Sequence, residues 1–364
     1  MADPFTDDYN TLHNIPKPAL PYIPGFEFTI TEHTPPNHRV IKKYLLTREE
    51  AFQRENTDVL TRCFNKSPLP GHTGSHTLRL KIRKQIRVSD GKSSQIVLVE
   101  VISNQLPETM PTTLVAKLYD PLYWDHYQDS VDPFIYIDKE YATETAAYQH
   151  LHRQLHEHGE TTTHIPHFYG SYTTDITHPD TTPPRNRPVR LILLEHISGL
   201  PMDTLNPHTL SQATRKIILE QIITVESHIY KLGVDHFDTY PRNILIQHHP
   251  HPSPSSPPSP SPEKNIQITL LDFGHAKIGR SPNPEIIPES DFLGGTYISP
   301  ILRWTTNGRR EPMDSYHEWV DWDWNDWIFE VYGADVGGIT EEMYQWLPYT
   351  MEEMIVGRLG KGRV

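Results

Sequence analysis

The sequence predicts a two-lobed α+β protein. Three observations carry that reading: strand-like alternation between residues 78 and 119, a helix-period segment directly after it, and a mostly helical second half interrupted by a Pro/Ser tract. The chain has 364 residues and is 36% hydrophobic, enough for one large or two modest cores.

Residues 1–75 are rich in proline and polar residues and read as an N-terminal extension. Within it, Thr47 and Glu50 have capping-box spacing ahead of Ala51, Phe52, Val59 and Leu60, which predicts one helix. From residue 76 the pattern turns to strands. Leu78-Arg-Leu-Lys-Ile-Arg alternates apolar and basic residues, Asp90-Gly-Lys-Ser-Ser94 carries turn chemistry, and Gln95 to Ile102 reads as the returning strand. Thr113 to Tyr119 is a third strand. Tyr141, Thr145, Tyr148, Leu151 and Leu155 then recur at helical spacing, from about Asp138 to His156, with Gly159 as the stop. Leu191 to Ile197 is a buried strand, and Ser211 to Leu232 a long helix with Ile218, Ile222, Val225, Ile229 and Leu232 on one face. The expected division is extension 1–75, a β-rich lobe 76–196 and a helical lobe 197–364. The Pro/Ser insert at 249–264 cannot bury a core and is expected to be disordered or polyproline-like.

Composition excludes several classes. With 33 Lys plus Arg against 46 Asp plus Glu, the formal charge is −13, which argues against broad phosphate-backbone binding and a nucleic-acid partner. The lone Cys63 rules out an internal disulfide and fits a reducing compartment. No secretory h-region or bilayer-length apolar run is visible, so the expectation is a soluble intracellular protein, cytoplasmic or nuclear, with no membrane partner. The 22 histidines are scattered and read as solvated residues rather than as a metal site.

The chemistry concentrates in two segments. His236-Phe-Asp238-Thr-Tyr-Pro-Arg-Asn243 matches the H-x-D-x-x-x-x-N catalytic loop, and Asp272-Phe273-Gly274 the D-F-G magnesium turn. Phosphoryl transfer requires a cation across the phosphates, and Mg²⁺ takes hard oxygen ligands. Asp272 offers a carboxylate, Asn243 a neutral carbonyl oxygen, and Asp238 a base for an acceptor hydroxyl. Ile244-Leu-Ile246 and Ile266 to Leu271 both read as strands. Paired antiparallel, they bring Asn243 and Asp272 to one end and send the Pro/Ser insert to the other, where added length costs little.

On these residues the chain resembles the protein-kinase-like superfamily, especially its divergent fungal kinase-like members. The resemblance covers about residues 76–300 and is most specific over 236–274. It implies a bilobal protein-kinase-like fold with a small β-rich N-lobe and an abbreviated C-lobe, with ATP and Mg²⁺ as cofactors. Val115-Ala116-Lys117 resembles the V-A-x-K strand, whose lysine binds the α- and β-phosphates, and Glu144 stands where the family places that lysine's partner, with Glu140 as runner-up. Leu193 to Ile197 resembles the hinge, implying adenine contacts by the backbones of Glu195 and Ile197. Gly91, Ser93 and Ser94 sit at the place of the glycine-rich loop, although only one glycine is present. Gly294-Gly-Thr296-Tyr-Ile-Ser299-Pro300 resembles the peptide-positioning segment, with Ile301 in place of the expected glutamate and Phe237 in place of the H-R-D arginine. Trp319, Trp322, Trp324 and Trp327 are expected to pack aromatic rings into the helical lobe. The implied activity is a phosphotransferase acting on a protein or small-molecule hydroxyl. The alternatives are a pseudokinase scaffold and a small-molecule kinase resembling aminoglycoside or choline phosphotransferases.

Overall fold

A computed structural model describes residues 16–41, 44–103, 110–127, 130–160, 164–178, 181–248, 266–279, 298–305, 315–335 and 338–339. The Pro/Ser insert and the Gly294–Tyr297 part of the expected peptide-positioning segment lie outside them. The chain forms two compact units, one of residues 1–152 and 167–197, the other of 153–166 and 198–364. Among the described residues, no helix is long and apolar enough to cross a membrane.

The first unit is a closed barrel of six antiparallel strands: β1 (Glu27–Thr34), β2 (His72–Arg87), β3 (Gln95–Val101), β4 (Thr113–Tyr119), β5 (Phe168–His178) and β6 (Arg185–Glu195), in the order β1-β2-β3-β4-β6-β5. Part of the stretch read as an N-terminal extension belongs to this barrel. β1 pairs with β2 through Phe28↔Leu80 and Ile30↔Leu78, and with β5 through Thr31↔Thr173, so it closes the barrel. Its alternation buries Phe28 and Ile30 among Leu80, Val97, Val99 and Leu191 and leaves every second residue outward.

Two short helices follow β1 in the chain, α1 (Arg48–Asn56) and α2 (Val59–Asn65), where the sequence predicted one. Thr47 caps α1 by accepting from the Glu50 amide at 3.1 Å. The Glu50 carboxylate does not complete a capping box. It is buried against Arg62 and, at 2.6 Å, Lys66, which joins α1 to α2. Phe52, counted on the apolar face, is 61% exposed.

Helix α3 (Pro133–Glu157) starts where proline is tolerated best, with the Asp132 carboxylate accepting from the Phe134 and Ile135 amides at 3.0 and 3.2 Å. It ends at Gly159, whose φ of +69° permits the left-handed stop, while the Glu160 amide reaches back to the Leu155 carbonyl at 2.8 Å.

Between β4 and α3, buried Asp120 accepts from Arg187 Nε at 3.1 Å and a second guanidinium nitrogen at 2.5 Å, and from the Tyr22 hydroxyl at 2.5 Å. This bidentate pair joins the chain before β1 to the end of β4 and to β6.

The second unit is built on α4 (Gln212–Lys231), N-capped by Ser211. Its small sheet holds β7 (Leu200–Pro201), β9 (Ile244–His248) and β10 (Ile266–Leu270), beside a two-stranded pair of β8 (Val234–Asp235) and β11 (Lys277–Ile278). The predicted hairpin is present: Ile244↔Leu270, Ile246↔Ile268 and His248↔Ile266 pair antiparallel. Gln221 of α4 grips β10 through the Ile266 carbonyl and the Ile268 amide, at 2.8 and 3.2 Å. Two further helices, α5 (Pro300–Trp304) and α6 (Trp324–Tyr332), contribute buried Trp304, Trp324 and Trp327, and Trp319 just before α6 is buried as well.

Two tests follow from the first unit. Asp120→Ala leaves Arg187 buried without its carboxylate and should destabilise this unit by about 3–5 kcal/mol, read by denaturant unfolding. Asp138 of α3 is buried, with Leu69 N–H on one oxygen at 2.6 Å. Burial raises its pKa to about 7, opposed by the Leu69 amide and Arg190 and aided by Asp132. The unfolded carboxyl releases its proton near pH ~4, so between pH ~4 and ~7 the folded state binds more protons and its stability falls as pH rises. Asp138→Asn should remove this slope in unfolding curves taken across that window, and an unchanged slope would assign it to other groups.

Candidate functional site

In the first unit the site residues lie on β4 and α3. Lys117 Nζ is 2.6 Å from Glu144 Oε2, with both side chains almost wholly buried. Ala116 and Leu118 point into the barrel core, so alternation turns Lys117 outward together with Tyr119. The Tyr119 hydroxyl donates to the same Glu144 oxygen at 2.5 Å, and its ring lies 5.6 Å from the lysine ammonium. Of the two glutamates considered for the lysine, the structure brings Glu144 to it.

The turn between β2 and β3 differs from the expectation. Gly91 takes φ +77°, as a tight turn requires, but its N–H donates to the Tyr123 carbonyl at 2.8 Å. The neighbouring Asp90 is held by Lys17 at 2.5 Å. Ser94 is buried and its hydroxyl accepts from Arg87 at 3.2 Å. The Gly91 amide and the Ser94 hydroxyl oxygen are thus bonded within this unit, and Ser93 between them is partly exposed. At the expected hinge, the Glu195 N–H is likewise committed, to the His167 carbonyl at 2.8 Å, and its carboxylate accepts from the His167 amide at 3.1 Å. Ile197 is partly buried.

In the second unit, the loop before β9 and the turn after β10 are bonded to each other. The Leu271 amide donates to the Asn243 carbonyl at 2.8 Å, which places Asn243 and Asp272 at the same end of the hairpin. His236 is buried, its Nε2 lies 2.8 Å from the Leu271 carbonyl, and the Asp238 amide donates to Nδ1 at 3.3 Å. A carbonyl can only accept, so these partners assign the proton to Nε2. Phe273 is buried edge-on against the His236 ring, centroids 4.7 Å apart. Asp272 holds φ +65° and Phe237 φ +62°, conformations costly for residues with a Cβ and common where a fold fixes a side chain for use.

Asn243 Nδ2 donates to both the main-chain oxygen and Oδ2 of Asp238, each at 2.9 Å. That assigns the amide orientation and leaves its Oδ1 outside these bonds, as a hard carbonyl ligand needs. Asp272 adds a partly exposed carboxylate. One neutral and one anionic oxygen form a donor set that suits Mg²⁺. Arg242, which sequence reasoning passed over, donates to Asp238 Oδ1 at 2.5 Å and lies 4.5 Å over the Tyr240 ring. The available signal was its i,i+4 spacing from Asp238.

Around α5, Ser299 accepts from the Ile301 amide and donates to the Asp335 carbonyl at 2.6 Å. Ile301 is fully buried, and the helix is held instead by Arg303 against Glu226 of α4, whose other oxygen accepts from Trp304 Nε1 at 3.0 Å.

No family model matches this sequence, and no curated protein does. Among solved structures, that of vaccinia related kinase 3 is similar to it, at 12% identity over 79% of this chain and 90% of that one, with a TM-score of 0.35. A likeness of that size carries no weight for activity, which rests on the residues themselves.

Glu226→Ala should strand the Arg303 cation in the core of the second unit and destabilise it by about 3–5 kcal/mol. Tryptophan fluorescence during urea unfolding reads the change, because Trp304 and Trp324 lie at the affected contact.

Proposed function

We propose that this chain is an ATP- and magnesium-dependent phosphotransferase of the protein-kinase-like type, acting on a hydroxyl acceptor. The observation that carries the reading is the bonded set of Asp238, Asn243 and the Asp272 turn: a carboxylate oriented by an amide, with that amide's oxygen at the same hairpin end as a second carboxylate. In the proposed reaction the acceptor O–H gives its proton to Asp238 as its oxygen bonds to the γ-phosphorus. The bond from that phosphorus to the β–γ bridging oxygen breaks, and ADP leaves with the electron pair. Asn243 and Asp272 would hold Mg²⁺, which when bound supplies charge neutralisation on the phosphates. Lys117, kept extended by Glu144, would meet the α- and β-phosphates, with Ser93 and the Ile197 backbone as further nucleotide contacts.

Two observations bear on the alternatives. The Gly91 and Glu195 amides, already bonded within the chain, favour, as a second reading, a scaffold that binds nucleotide or a protein partner without turnover. A choline- or aminoglycoside-type acceptor is cationic and calls for an acidic enclosure. Beside Asp238 stands the Arg242 guanidinium, whose positive charge suits an acceptor that is not itself a cation.

Mg-ATP should raise the thermal midpoint of the wild type, by the equivalent of about 2.7 kcal/mol at 100 times Kd. Asp272→Ala should abolish the magnesium-dependent part of that shift. Asp238→Asn should keep nucleotide binding while losing γ-phosphate transfer to an acceptor library. Absence of any shift in the wild type sinks the reading; a shift without transfer by the wild type selects the scaffold.

A further inference from the structure

We propose that Tyr119 is a positioning residue that locks Glu144 onto Lys117, a role that rests on the phosphotransferase reading above. Lys117 and Tyr119 are two residues apart on β4, on the same outward face, and both reach one oxygen of one carboxylate, at 2.6 and 2.5 Å. Glu144 is fully withdrawn from solvent and Tyr119 almost so. A glutamate held by a lysine alone links two long side chains with several rotatable bonds each, and fixing them costs side-chain entropy of about 1.5–2 kcal/mol apiece. Tyrosine has two such bonds, and its ring is fixed here: it lies 5.5 Å from the ring of Tyr141, one turn before Glu144 on α3. Tyr141 is itself anchored to the barrel, 2.9 Å from His33 Nδ1 and donating to the His33 carbonyl at 3.2 Å. Tyr119 thus meets α3 twice, by hydroxyl at Glu144 and by ring at Tyr141.

The functional consequence follows from donor count. An ammonium has three protons, and a lysine that turns some of them to phosphate loosens its hold on the glutamate. A second, independent donor on the same oxygen keeps the carboxylate in place during that exchange, so the ammonium arrives at the phosphates already oriented. The hydroxyl is therefore placed to determine Mg-ATP affinity through Glu144 without touching nucleotide.

Titration calorimetry with Mg-ATP on the full chain tests this. Tyr119→Phe keeps the ring and removes the donor that holds Glu144 while the ammonium turns to phosphate, so it should weaken Kd by about tenfold. In a Glu144→Gln background the same change should have less than about twofold further effect, because the hydroxyl acts only through that carboxylate. A purely structural Tyr119 would give equal losses in both backgrounds, which overturns the proposal, as does an unchanged Kd for Tyr119→Phe. If Tyr119→Phe fails to fold, 3-fluorotyrosine at position 119 replaces it: the stronger donor should tighten Mg-ATP binding, and an unaltered Kd overturns the role. A wild type that binds no Mg-ATP would instead count against the phosphotransferase reading, so the two failures are told apart before any variant is measured.

Discussion

An ionised carboxylate taken out of water must keep a cation and further donors, or the buried charge costs several kcal/mol. Both units are organised around that constraint. Glu50, Asp120, Glu144 and Glu226 are each at most 1% exposed, and each is held by Lys or Arg. Glu50 fastens α1 to α2, Asp120 joins the chain before β1 to β6, Glu144 ties α3 to β4, and Glu226 ties α4 to α5. Such pairs add little net stability compared with apolar replacements of the same shape. What they supply is geometry, since each carboxylate fixes the elements whose cations it holds.

Three of these carboxylates hold architecture alone, whereas Glu144 holds a side chain with work of its own in the proposed transfer. The Lys117–Glu144–Tyr119 contact borrows its precision from the barrel. β4 is a central strand, paired with β3 through Lys117↔Ile96 and with β6 through Lys117↔Ile192, so the lysine backbone has no freedom to drift. On the other side, Tyr141 and His33 bind α3 to the closing strand β1. The segment before residue 76 is thus part of what positions Lys117.

How much of this was legible in the sequence depended on whether the signal was local. The β9–β10 hairpin and the joint placement of Asn243 and Asp272 follow from strand period and turn position, and both were read despite the intervening Pro/Ser tract. Lys117 and Glu144 were picked out by the resemblance to the V-A-x-K strand and its partner glutamate, and helical spacing placed Glu144 on the face turned to the sheet. β1 was missed because its alternating residues sit between Pro24 and Pro35-Pro36 in a segment whose composition resembles a tail; only its pairing with β2 and β5 makes it a barrel strand. The partners of Gly91 and Ser94, Tyr123 and Arg87, had no signal in the turn itself, because they come from other parts of the chain or strand. The Glu226–Arg303 pair spans 77 residues and has no local signature at all.

The two oxygens of Asp238 have different surroundings. Oδ2 is held by the buried Asn243 amide, whose orientation also presents the oxygen assigned to magnesium, so disturbing that bond would disturb the metal ligand. Oδ1 is held by Arg242, whose side chain is 51% exposed and spaced four residues away. Only the Arg242 end of this pair is exposed, so in the proposed transfer it is the oxygen on that side that an incoming hydroxyl would reach. The guanidinium also lies 4.5 Å over the Tyr240 ring, a second contact that would keep it near Asp238 in the proposed transfer. Asn243 thus fixes one oxygen of Asp238, while Arg242 covers the other.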